Sequence, residues 1–80
     1  MKVPRNVAGQ ELVRALQRFG YSFVRQTGSH ARLTTTQSGE HHVTIPMQKP
    51  IKVGTLTAIL DDVADHARIT RAELLDLLNI

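Results

Sequence analysis

The sequence predicts an α+β fold, with helices over one face of a three-stranded antiparallel sheet in the order α-β-β-β-α-α. Three observations predict it. Two turn-forming clusters, Thr27-Gly28-Ser29 and Gln37-Ser38-Gly39-Glu40, separate three short segments rich in β-branched and aromatic residues. Apolar residues at helical spacing flank these segments on both sides. Thr70-Arg71-Ala72-Glu73 then has the pattern of a capping box at the start of a closing helix.

Each element follows from local signals. Asn6 is suited to cap a first helix, in which Leu12, Val13, Leu16 and Phe19 fall at i, i+1, i+4 and i+7 and make one apolar stripe. Arg14 and Arg18 lie elsewhere on its surface, and Gly20 follows the last periodic residue, where helices end in a left-handed conformation. Strands are expected over 21–26, 30–36 and 41–46, the last stopped by Pro46, which has no N–H to donate. Two tight turns joining three strands make an antiparallel meander. Gly54-Thr55 opens a second helix with Leu56, Ile59, Leu60 and Val63 on one face. In the third helix Ile69 and Leu74 are spaced as a hydrophobic staple, and Leu74, Leu75 and Leu78 form the apolar face. A sheet covered on one side leaves its other face available.

Composition narrows the class. Eighty residues without repeats or a linker are expected to form a single domain over 1–80, near the lower limit for folding without a staple. With no cysteine, neither a disulfide nor a thiolate metal site supplies one. No apolar run approaches the roughly 18–20 residues that cross a bilayer. Nor does Met1-Lys2-Val3-Pro4-Arg5 lead into the apolar stretch of a signal peptide, so a cytoplasmic protein is expected. Charge is uneven. Residues 1–60 carry eight lysines and arginines against Glu11 and Glu40, a net +6; residues 61–80 carry five acids against Arg68 and Arg71, a net −3. A basic body suits a polyanion partner, although a solvated surface also accounts for such a density.

The residues able to carry chemistry are few. His30 follows a glycine turn at a strand start, close to solvent. Imidazole exchanges protons near neutrality, as metal-free RNA cleavage requires when the ribose 2′-oxygen attacks phosphorus and the 5′-oxygen leaves. Taken alone, Gly28-Ser29-His30 is more often an inert turn than a catalytic one. Arg32, two residues on, projects from the same strand face as His30. Lys49 and Lys52 precede a helix N-terminus whose free N–H groups suit phosphate; a solvated loop capped by Thr55 is the plainer alternative. His41 and His42, as neighbours on a strand, point to opposite faces and do not share a metal, while one of them is a candidate second proton carrier. His66 is accounted for by Asp61, Asp62, Asp65 and the helix dipole.

In series these segments resemble the HicA family of mRNA interferase toxins from bacterial and archaeal toxin–antitoxin systems. The likeness runs through Leu16, Phe19-Gly20-Tyr21 and Val24 to His30, then Val43-Thr44-Ile45-Pro46, Gly54-Thr55-Leu56 and Ile59-Leu60. Ile69-Thr70 and Glu73-Leu74 resemble the family's closing helix. The resemblance implies a fold like the double-stranded RNA-binding domain, and endonucleolytic cleavage of mRNA that blocks translation without a metal or other cofactor. It implies that His30 is catalytic, and Arg25, Ser29, Arg32, Lys49 and Lys52 are the matching candidates for RNA contact. The implied partners are mRNA and a cognate HicB-like antitoxin; DNA is reached only through that antitoxin. Two residues depart from the family pattern. Gln48 stands where many relatives have a histidine, and Asp61-Asp62 where relatives often have basic or neutral polar residues. Two alternatives stand beside this reading: a non-catalytic RNA-binding module of the same fold, and a protein-interaction domain docking through its acidic third helix.

Overall fold

The computed structural model describes residues 3–80; Met1 and Lys2, counted above in the N-terminal segment and the basic body, lie outside the described residues. The elements follow the expected order: α1 (Gly9–Phe19), β1 (Ser22–Thr27), β2 (His30–Thr35), β3 (His41–Pro46), α2 (Val53–Ala67) and α3 (Arg71–Leu78). The sheet is antiparallel with spatial order β1-β2-β3.

Side chains alternate along β2 and β3. Ala31, Leu33, Val43 and Ile45 point inward and are buried, and His30, Arg32, His42 and Thr44 are exposed on the other face. The inward set joins Leu12 and Leu16 of α1, Leu56, Leu60 and Val63 of α2, and Leu74 and Leu78 of α3 in one core. The three helices therefore share one side of the sheet, and the open side carries polar residues. β1 is exposed throughout, and its pairing shifts between Phe23 and Arg25, so that Val24 is the extra residue of a bulge. The shift sets Phe23 opposite Leu33, although its ring remains 45% exposed.

The first helix begins differently from expectation. Asn6 is not its cap: its φ is +63°, and the N-cap is Ala8, whose side chain has no acceptor. Glu11 supplies the reciprocal half of a box by accepting from the Ala8 N–H at 3.2 Å, and the Gly9 N–H is satisfied by the Gln48 carbonyl at 2.8 Å. A long-range bond has replaced the local cap. The helix ends at Gly20 as expected, but at φ +128°, ψ 4°, outside the left-handed helical well. The capping box of α3 forms as read: Thr70 Oγ1 accepts from the Glu73 N–H at 3.1 Å, and Glu73 accepts from the Thr70 N–H at 3.0 Å. These bonds hold the Glu73 carboxyl below its ordinary range. Arg71 clasps Asp61 through Nε at 2.6 Å and Nη2 at 2.9 Å, tying α3 to α2 and lowering the Asp61 carboxyl through that hydrogen bond.

At the end of the sheet away from His30, Tyr21 donates its hydroxyl proton to His41 Nδ1 at 2.7 Å, and His41 Nε2–H faces Asp62 at 3.2 Å. The His41 ring stacks on His66 at 4.4 Å, and His66 Nε2 donates to the Gln37 carbonyl at 2.9 Å. The charges of α2 and its dipole thus explain only part of His66. Both acids that depart from the family pattern are engaged structurally, Asp61 by Arg71 and Asp62 by His41. Burial, and then the charge of Asp62, push the Tyr21 phenol up to about 12. The sign follows. Below the ordinary tyrosine value of 10.0 both states hold the proton and the fold carries no penalty. Above it the unfolded chain releases a proton that the folded chain retains, so stability is lost as pH rises towards about 12. The urea midpoint is expected to fall across that window more steeply than in Tyr21→Phe. Tyr21 is the sole tyrosine and there is no tryptophan, so phenolate absorbance reports its ionisation directly.

Candidate active site

The β1–β2 connection holds two residues, Gly28 and Ser29, between the paired Thr27 and His30. Gly28 takes φ +58°, and a Cβ there would meet nothing within 4 Å, so glycine is required for its conformation alone. Gln26 Nε2 braces the turn by donating to the Gly28 carbonyl at 3.1 Å. His30 is thereby set at the start of β2, exposed, facing Thr27 on one side and Pro46 on the other. Arg32 follows on the same face, and Arg25 stands directly opposite it on β1. Like charges facing each other across a ladder repel. Neither guanidinium has a carboxylate within ion-pair distance among the described residues. Beside His30 the open face thus carries two cations with no protein counter-charge, an arrangement suited to an anion.

The segment after β3 is fastened to this end of the sheet. The Met47 N–H donates to the Ser29 carbonyl at 2.6 Å, Gly9 binds Gln48 as above, and the Ile51 N–H donates to the Val7 carbonyl at 2.8 Å. Ile51 is buried between two exposed lysines. Of the residues expected at the site, His30, Arg32, Arg25 and Ser29 come together at one end of the open face. Lys49 lines a recess with Gln10, Arg14 and Gln48, and Lys52 is the exposed N-cap of α2. That helix begins at Val53, two residues before Thr55, which is not its cap; no side chain caps it. Gln10 and Arg14, which line that recess, and Gly9, which packs on the Pro46–Met47 backbone, were not singled out in the sequence as site residues. A glycine in the first helical turn was the available signal for Gly9.

The other three histidines are not neighbours of His30. His42 lies on the open face, but four residues along β3 from Pro46, about 13 Å away at strand rise, and its ring is 3.4 Å from Glu40. His41 and His66 belong to the cluster with Tyr21 on the helix side. Neither member of the His41-His42 pair can serve as a proton carrier for a phosphodiester held at His30. Among the described residues no three His, Asp or Glu side chains converge to hold a metal, and no helix is long and apolar enough to cross a membrane.

Residues 9–64 match the family model described as the HicA toxin of bacterial toxin–antitoxin. The chain belongs to the HicA toxin family. It is accordingly a toxin component of a toxin–antitoxin system. No curated protein and no solved structure matches the chain. The HicA match spans α1, the sheet and most of α2, and so contains the His30 turn, both arginines of the open face and the Met47–Lys52 segment. It ends before the capping box of α3, whose likeness to the family rests on the sequence pattern alone.

Proposed function

We propose that this HicA toxin is an endoribonuclease that cleaves mRNA in the cytoplasm, with His30 as the proton-transfer residue. The reading is carried by one observation: an exposed imidazole stands beside Arg25 and Arg32, two cations paired face to face without a counter-charge. A phosphodiester seated there replaces their mutual repulsion with two charge-assisted contacts. The same cations stabilise charge developing on the phosphoryl oxygens.

The reaction balances without a cofactor. The ribose 2′-oxygen attacks the adjacent phosphorus as His30 takes its proton. The P–O5′ bond breaks, and the 5′-oxygen receives a proton, leaving a 2′,3′-cyclic phosphate and a 5′-hydroxyl. Gln48, where relatives have histidine, cannot donate that proton, because an amide does not titrate in water. The imidazolium formed on His30 is then the nearest donor. Ser29 holds the turn through its carbonyl and offers its hydroxyl to the phosphate, and Lys49 and Lys52 contribute attraction along the segment leaving the site. A HicB-like antitoxin would keep the toxin inactive, and contact with DNA would run only through that partner.

The test is incubation of the purified chain with RNA in excess chelator. Cleavage that persists, and ends in cyclic phosphates, is the expected result. Retention of RNA without cleavage products would replace this reading with the non-catalytic binding module. Cleavage abolished by the chelator and restored by a divalent cation would overturn the metal-free step.

A further inference from the structure

The recess between α1 and Met47–Lys49 is open on one side to solvent and has a volume of about 390 Å³. It begins where the phosphodiester site ends. Pro46 faces His30 across the ladder, Met47 is bonded to Ser29, and Gln48 and Lys49 follow at once. Two Cα steps, about 7.6 Å, are the farthest Gln48 can lie from Pro46. On the opposite wall Gln10 and Arg14 are four residues apart, and Arg18 continues the same row. Arg14 also borders the next recess along α1, with Arg18 and Asn79. Glu11 lines the wall too, but its carboxylate is engaged by the Ala8 N–H.

The wall composition is selective. Gln10 and Gln48, which carry primary amides, line the space together with the cationic Arg14 and Lys49, and all four side chains are exposed. An amide offers a donor and an acceptor together, which is what the edge of an unpaired base presents in complement. Flanking cations hold a backbone phosphate without regard to sequence. We infer that this recess is the subsite for a nucleotide adjoining the cleaved phosphate, with Gln10 and Gln48 reading its base and Arg14 and Lys49 holding its phosphate. The inference rests on the ribonuclease reading for its substrate and adds where sequence preference arises. It also gives Gln48 a role that a proton-transferring histidine at that position would not have.

The experiment measures binding, so that it stands apart from catalysis. Short fluorescent single-stranded RNAs, varied one base at a time, are titrated against the His30→Ala protein by anisotropy at several salt concentrations. Gln48→Ala and Gln10→Ala are each expected to flatten a base preference of about tenfold at one position. Gln48→Glu, of equal size, is expected to weaken every sequence. Arg14→Ala and Lys49→Ala are expected to weaken all sequences alike and lower the salt slope by about one each. Preference and affinity unchanged in all five variants would overturn the subsite. So would loss of antitoxin binding with RNA binding intact, which would make the recess a protein-docking surface. Recess-dependent preference, together with a wild-type chain that cleaves none of these RNAs, would sustain the subsite and defeat the ribonuclease reading.

Discussion

Replacing His30 by alanine is expected to lower the rate of RNA cleavage by about 10²–10⁴-fold, the range for removing a positioned acid or base. Stability is expected to stay within about 0.5 kcal/mol, because the side chain is exposed and holds no hydrogen bond among the described residues. RNA affinity is expected to change little, since Arg25 and Arg32 remain to bind phosphate. This separation of rate from folding and from binding is the informative part. A fall in cleavage that merely tracks a fall in affinity would make His30 a binding residue. Arg32→Ala should do the reverse, weakening binding and reducing its salt dependence while sparing part of the rate. In cells, wild-type chain expressed without its antitoxin should arrest growth and the His30→Ala form should not. Equal arrest by both proteins would remove His30 from the mechanism.

Where local patterns decided a contact, the sequence was sufficient. β3 runs from His41 to Pro46 as read, because Val43 and Ile45 alternate inward between a turn and a residue without an N–H. The shared face of His30 and Arg32 follows from strand periodicity alone and is present. The capping box at Thr70 needed only four consecutive residues. Features decided by distant partners were not legible. Asn6 has the right chemistry for a cap, yet the chain turns there at φ +63° and α1 takes its first bond from Gln48, on the far side of the sheet in sequence. The same bond holds the segment after β3 against α1, where Lys49 lines a recess. Lys49 and Lys52 lie only three and six residues beyond Pro46, the partner of His30 in the ladder, and nothing local marks their divergence. Asp61 and Asp62 looked anomalous only until Arg71 and His41 were seen against them. The pairing of Arg25 with Arg32 needs a two-residue hairpin, which the expected Thr27-Gly28-Ser29 turn does not give, and the bulge at Val24 just beyond it has no local signature.

Gly9→Ala is the substitution expected to injure the fold most for its size, and its sign is decided by competing magnitudes. Alanine is the better helix former, by about 0.5–1 kcal/mol in a helix interior, so a surface view of α1 predicts stabilisation. An added Cβ, however, would lie 2.3 Å from the Pro46 carbonyl oxygen and 2.7 Å from the Met47 Cα. Both are backbone atoms, so no side-chain rotation relieves the overlap. Either α1 or the segment after β3 must move. Moving the segment strains the bonds from Gly9 to Gln48 and from Met47 to Ser29, each worth about 1 kcal/mol net, in addition to about 1–3 kcal/mol for overpacking. The net expectation is a loss of about 2–4 kcal/mol. At about 4–8 °C per kcal/mol for a chain of this length, calorimetry should show the melting temperature falling by at least about 8 °C. The displacement also acts on chemistry, since Met47 is bonded to the turn that carries His30. Cleavage by the folded fraction, measured well below the new melting temperature, is therefore expected to fall as well. A Gly9→Ala protein as stable and as active as the wild type would mean that the contact between α1 and the Pro46–Met47 backbone does not hold the site in place.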